Sequence, residues 1–135
     1  MTAVDTNVLL DILIRDPEFH PSSLQWIQAA SREGALVICE IVYAEIAGRF
    51  PQHTALEEFL RETGVQLRPS DPKALWTAGE LWRRHCAERR SVPPATRRIL
   101  ADFLIGAHAL LQADRLLTRD RGFYRACFTD LPLFS

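Results

Sequence analysis

No stretch of this sequence approaches the ~18 consecutive apolar residues of a membrane-spanning helix. The opening MTAVDTNVLL sets Asp5 and Asn7 where a secretory leader needs a basic start and an unbroken apolar run, so a cytoplasmic protein with no membrane association is expected. Cysteine is scarce. Cys39, Cys86 and Cys127 make an odd count with no CxxC pair, which argues against a disulfide framework and leaves them as reduced packing residues. The four histidines, His20, His53, His85 and His108, are scattered, show no metal-ligand spacing and read as structural. There is no internal repeat and no low-complexity segment. What remains, 135 residues at 47% hydrophobic and 24% charged, has the size of one domain over 1–135, able to bury its own core.

Lysine is nearly absent as well, since 15 of the 16 bases are Arg, whose planar fork suits phosphate oxygens. The net charge of −1 hides a segregation: residues 1–82 hold 12 acids against 6 bases, and residues 83–125 hold 10 Arg against 4 acids. A polyanionic partner fits the second part. The competing explanation is that the paired arginines (Arg83 and Arg84, Arg89 and Arg90, Arg97 and Arg98) line solvated helix faces.

Apolar triplets alternate with helical patterns along the chain. Strands are expected at residues 2–4, 35–39, 65–67, 116–118 and, at an edge, 131–134. Helices are expected over about 8–14, then from a cap at Ser22 or Ser23 to Gly34, over 41–49, 54–62, from Pro72 to about 90, 97–113 and 121–127. Ser91-Val92-Pro93-Pro94 is the one linker-like stretch. Strands separated by helices imply βαβ units, hence an α/β fold with a parallel sheet covered on both faces.

In such a sheet ligands gather at the carboxyl ends of the strands, where Asp5 and Asp120 fall. Glu45 in IVYAEIAG and Asp102 in ILADFLIGAHAL are charged residues in largely apolar helical settings, and a carboxylate there needs a partner. Each acid has a structural explanation: Asp5 as a helix cap, Glu45 paired with Arg49, Asp102 paired with Arg98, Asp120 as a helix start. Jointly, four acids from four chain segments can reach one crevice, where they repel unless a hard cation joins them. Oxygen-only ligands favour Mg²⁺ or Mn²⁺, which can activate water and stabilise a phosphodiester under attack. Trp26 shares a helical stripe with Leu24 and Ile27 and reads as core rather than as a base-stacking platform. Glu40 and Asp114 read as helix-end residues.

VDTNVLLDIL, VYAEIAGRF, ILADFLIGAHAL and LLTRDRGFY, in that order, resemble the four acidic motifs of PIN domains. Chain length and motif order are similar to the VapC-type toxins of toxin–antitoxin pairs. The resemblance implies a three-layer α/β/α fold with a four- or five-stranded parallel sheet. It further implies a Mg²⁺- or Mn²⁺-dependent ribonuclease, usually a homodimer, held in check by an antitoxin whose tail enters the cleft. Carried over by position, it gives Asp5, Glu45, Asp102 and Asp120 as catalytic and metal-binding residues, with Asn7 and Thr118 as polar support. Arg89, Arg90, Arg97 and Arg98 would then hold RNA phosphates beside the cleft. Two rival readings fit the sequence less well. A haloacid dehalogenase-type phosphatase needs a second Asp two residues after the first, where this chain has Asn7; a silent PIN-like RNA- or protein-binding module is expected to have lost at least one acid, and all four are present.

Overall fold

The structure is a computed structural model and describes residues 1–88 and 98–134. Five short strands, β1 (Thr2–Val4), β2 (Leu36–Ile38), β3 (Val65–Leu67), β4 (Arg115–Leu117) and β5 (Leu133–Phe134), form one sheet in the order β3-β2-β1-β4-β5. Every pairing is parallel. Seven helices connect them among the described residues: α1 (Thr6–Leu13), α2 (His20–Glu33), α3 (Glu40–Ala47), α4 (His53–Thr63), α5 (Pro72–Glu88), α6 (Leu100–Gln112) and α7 (Arg121–Cys127).

Strands β1 and β2 carry buried triplets and β4 buries Leu116 and Leu117, with Leu36-Val37-Ile38 in β2 almost wholly removed from water, as a parallel strand covered on both faces requires. The chain walks outward from β1 to β2 and β3, then crosses back to lay β4 on the other side of β1. Right-handed crossovers in opposite directions put helices on opposite faces of the sheet, giving the three layers. The reversal lies between β1 and β4, which makes their carboxyl ends the switch-point crevice where open α/β sheets bind ligands.

Helix starts departed most from the sequence expectation. Neither Ser22 nor Ser23 caps α2, which begins at His20. Asp16 Oδ1 takes the N–H groups of Glu18 and Phe19 just ahead of the helix, and the buried Ser23 hydroxyl is committed to Asp11 Oδ2 at 2.7 Å. Asp71 does cap α5, accepting the Ala74 N–H at 2.8 Å, and Gly64 ends α4 in the left-handed conformation (φ 73°) that favours glycine. Helix α6 starts at Leu100 rather than 97, and β5 is confined to two residues.

Of the cysteines only Cys39 is a packing residue; Cys86 and Cys127 are exposed. Trp26 packs against the core as expected, and Trp82 meets the Phe103 and His85 rings. Trp76 is exposed, its indole donating to Glu80. No helix among the described residues is long and apolar enough to cross a membrane.

Candidate active site

At the end of β1 the Asp5 N–H donates to the Leu117 carbonyl at 2.9 Å, so the ladder places Asp5 level with Thr118 on β4. Asp5 is in β conformation and caps α1, accepting the Thr6 N–H on Oδ1 at 2.7 Å. Its Oδ2 accepts the Thr118 hydroxyl at 2.7 Å and the Asn7 amide at 3.3 Å. Thr118 Oγ in turn accepts the Asp120 N–H at 2.9 Å, while Asn7 Oδ1 accepts the Arg119 N–H at 3.2 Å. Asn7 and Thr118 thus knit the β1–α1 and β4–α7 turns together. The cap explanation for Asp5 is correct, yet it uses only one oxygen.

Glu45 and Asp102 act on Asp5, and Asp120 acts on Asp102. Helix α3 brings Glu45, whose Oε1 accepts the Thr6 hydroxyl at 2.8 Å. Among the described residues Glu45 forms no pair with Arg49, so the helix-pair explanation fails there. Asp102 lies in the first turn of α6 and reaches back to the Ile99 N–H at 3.1 Å. Burial pushes the Asp5 carboxyl up to about 6 against the pull of its Thr118 and Thr6 bonds, and the Asp102 and Glu45 charges push it further. Burial raises Asp102 as well, with Asp120 adding repulsion and Arg98 and His85 partly offsetting it.

The alternative explanation of Asp102, an ion pair with Arg98, is not built. Arg98 precedes α6 and forks onto Asp120, with Nη1 at 2.6 Å from Oδ2 and Nη2 at 3.3 Å from Oδ1. Of the other arginines assigned to RNA, Arg89, Arg90 and Arg97 lie outside the described residues; Arg83 and Arg84 are exposed on α5. Glu40 does more than favour a helix start: it accepts the Ser70 hydroxyl at 2.8 Å and N–H at 3.0 Å, tying α3 to the loop before α5. Burial alone would raise its carboxyl, but these bonds hold it below the ordinary value. His108 is structural, buried with Nε2 donating to the Arg68 carbonyl at 2.7 Å, and burial lowers its pKa.

Three participants escaped the sequence reading. Thr6 orients Glu45, and its signal was its place directly after Asp5. Tyr124 is buried beside the acids, and burial followed by the Asp5, Asp102 and Asp120 charges drives its phenol far up. Arg119 crosses from the β4–α7 turn to the buried Asp11, with Nε at 2.7 Å from Oδ2 and Nη2 at 2.9 Å from Oδ1, and stacks on Phe19. Neither of the last two has a local sequence signal.

Among the described residues no three acidic, His or Cys side chains stand together closely enough to hold a metal ion as they are placed. The donor chemistry nevertheless fits a hard divalent cation: the donors are carboxylate oxygens, neighbouring carboxylates raise Asp5 and Asp102, and among the described residues Asp5 is buried without a cationic partner in hydrogen-bond contact. Asp5, Asp102 and Glu45 would hold such an ion, joined by Asp120 once its oxygens are freed from Arg98.

No curated protein matches the chain in sequence. Among solved structures, FitAB bound to an IR36 DNA fragment superposes with a TM-score of 0.69 at 19% identity, covering 99% of this chain and 94% of that one. VapBC-1 from nontypeable Haemophilus influenzae gives 0.67 at 22% identity, covering 98% and 95%. VapBC2 from Rickettsia felis, bound to a DNA fragment from its promoter, gives 0.65 at 20% identity, covering 98% and 96%. At these identities the likeness is one of fold. The PIN domain model matches residues 2–129, a span that holds all four acids and strands β1 to β4, and the chain belongs to the PIN domain family.

Proposed function

We propose that the chain is a single-domain, Mg²⁺- or Mn²⁺-dependent ribonuclease that hydrolyses phosphodiester bonds at the acidic crevice and serves as the toxin of a toxin–antitoxin pair. Asp5 carries the reading: a buried carboxylate, raised to about 6 and faced by two further acids, is an arrangement that costs stability unless a cation uses it. Mg²⁺ or Mn²⁺, when bound there, supplies a more acidic water and a positive charge against the developing phosphorane.

The chain's own residues do the rest. Thr118, Thr6 and Asn7 fix Asp5 in one orientation. Glu45, exposed and held through Oε1 by the Thr6 hydroxyl, keeps Oε2 free among the described residues to orient the attacking water and take its proton. As the water oxygen bonds to phosphorus, the bond to the leaving ribose oxygen breaks. Asp102 and Asp120 complete the cation site, and Arg89, Arg90, Arg97 and Arg98 contact flanking phosphates.

The likeness to VapBC and FitAB complexes supports an antitoxin as partner. The proposed working assembly is a homodimer in the cytoplasm. A catalytically silent binding module is favoured by one observation, the Arg98 fork closed on Asp120. Incubating the purified protein with single-stranded RNA in Mn²⁺, Mg²⁺ or EDTA separates the two. Cleavage with either ion and none in EDTA supports the nuclease; binding without cleavage under all conditions supports the silent module.

A further inference from the structure

Arg98 is held at three points. Its backbone N–H donates to His85 Nε2 on α5 at 3.0 Å, its guanidinium lies 4.7 Å from the centroid of the Phe123 ring, and its fork covers both oxygens of Asp120. Only the third contact involves the acidic crevice. The Arg98 and Asp120 side chains each keep a third of their surface in water, so the fork is only part-buried and its carboxylate stays open to a competing cation. Among the described residues neither Asp5 nor Asp102 has such a forked counter-ion: Asp5 takes only neutral donors, and Asp102 bonds only a backbone N–H while feeling the Arg98 charge at longer range.

A cation that coordinates Asp120 must compete for the oxygens that Arg98 occupies. The guanidinium, once released, remains tethered by its His85 and Phe123 contacts at the mouth of the crevice, where a substrate phosphate would lie. We propose that Arg98 and the divalent cation are alternative counter-ions of Asp120, so that cation binding converts Arg98 from an internal ion-pair partner into a phosphate ligand. The crevice then grips nucleic acid fully only when it is loaded for chemistry. This rests on the cation site proposed above.

The test has two arms and does not depend on cleavage. In calorimetric titration with Mn²⁺, Arg98→Gln should bind the ion about tenfold tighter than wild type, because the competing state is removed. Arg98→Lys, which keeps the charge without the two-pronged fork, should also bind tighter than wild type. If Arg98→Lys matches wild type and only Arg98→Gln gains, the effect is charge repulsion and the exchange is refuted. Unchanged or weaker Mn²⁺ binding by Arg98→Gln refutes it as well.

In the second arm, binding of a 2′-O-methyl oligoribonucleotide is followed by anisotropy against salt. Arg98→Gln should flatten the slope by about 0.7, one phosphate contact, in saturating Mn²⁺ and leave it unchanged in EDTA. An equal change in both conditions means that Arg98 is never sequestered, and no change in either means that it never meets phosphate; each overturns the proposal. Wild-type protein that binds no Mn²⁺ refutes the cation site and the exchange together, whereas wild-type binding with an unaffected variant refutes the exchange alone.

Discussion

The Thr118 hydroxyl donates to Asp5 Oδ2 at 2.7 Å across the β1–β4 seam, joining residues 113 apart in sequence at the point where the sheet reverses direction. Both groups are buried. Thr118→Val keeps the shape and removes the donor, so Asp5 loses its shortest side-chain bond and its carboxyl should rise further. The expected cost is roughly 1 to 3 kcal/mol at neutral pH, measured by denaturant unfolding, with Thr118→Ser close to wild type. Equal stability of Val and wild type would mean that the bond contributes nothing.

Asp5 also sets a pH dependence whose sign is unusual for a carboxylate. Its folded-state value, about 6, lies above the ordinary value near 4, so the folded protein holds the proton more tightly than the unfolded chain. Stability from this group is full below about pH 4 and is lost as pH rises through about 6, by on the order of 2 to 3 kcal/mol. Asp102 acts in the same direction. In EDTA, Asp5→Asn should therefore be more stable than wild type at pH 7.5 and lose that advantage at pH 4, as measured by urea unfolding at both pH values. A variant less stable than wild type at both would show that the charge is not the burden.

The Asp11–Arg119 pair anchors the turn that carries Thr118 and Asp120. Asp11 is buried and Arg119 is its only cationic contact among the described residues, with Ser23 as a further donor. Arg119→Leu leaves a buried charge unpaired and should cost about 3 to 5 kcal/mol, whereas the double variant Asp11→Leu/Arg119→Leu should recover much of the loss. A double variant no better than the single one would assign the cost to lost packing on Phe19.

Gly106 on α6 faces the edge of the Phe128 ring, and a Cβ there would lie 2.4 Å from Cζ. Helix propensity would favour Ala by roughly 0.5 to 1 kcal/mol. Phe128 is buried and packed on Phe103, Phe123 and Tyr124, so moving its ring disturbs three aromatic contacts and overpacking at about 1 to 3 kcal/mol should win. Gly106→Ala is expected to unfold at lower denaturant than wild type; a gain in stability would show that the ring yields.

How far the sequence reveals this molecule depends on the range of the interaction. Strands such as Leu36-Val37-Ile38 and breaks such as Gly64 are written in adjacent residues, so the order of elements and the parallel sheet were readable, and the four motifs marked Asp5, Glu45, Asp102 and Asp120 as the candidate acids. Contacts between distant segments were not readable. The local rule paired Arg98 with Asp102, but Arg98 lies outside the helix and meets Asp120, 22 residues on. The same holds for Ser23, which serves Asp11 rather than capping α2, and for Arg119, whose partner is 108 residues away. In each case a tertiary partner outcompeted the local one, and no periodicity reports such a partner.

Asp5, Glu45, Asp102 and Asp120, from four chain segments, are proposed to act as one cation-dependent unit. The most direct test is single-turnover RNA cleavage in Mn²⁺ by Asp5→Asn, Asp102→Asn and the double variant, each confirmed as folded. Residues that act as a unit are non-additive, so each single variant should lose nearly all cleavage, at least about a hundredfold, and the double variant should be no worse than either. Single variants that retain near wild-type cleavage, or losses that multiply in the double variant, would contradict the account.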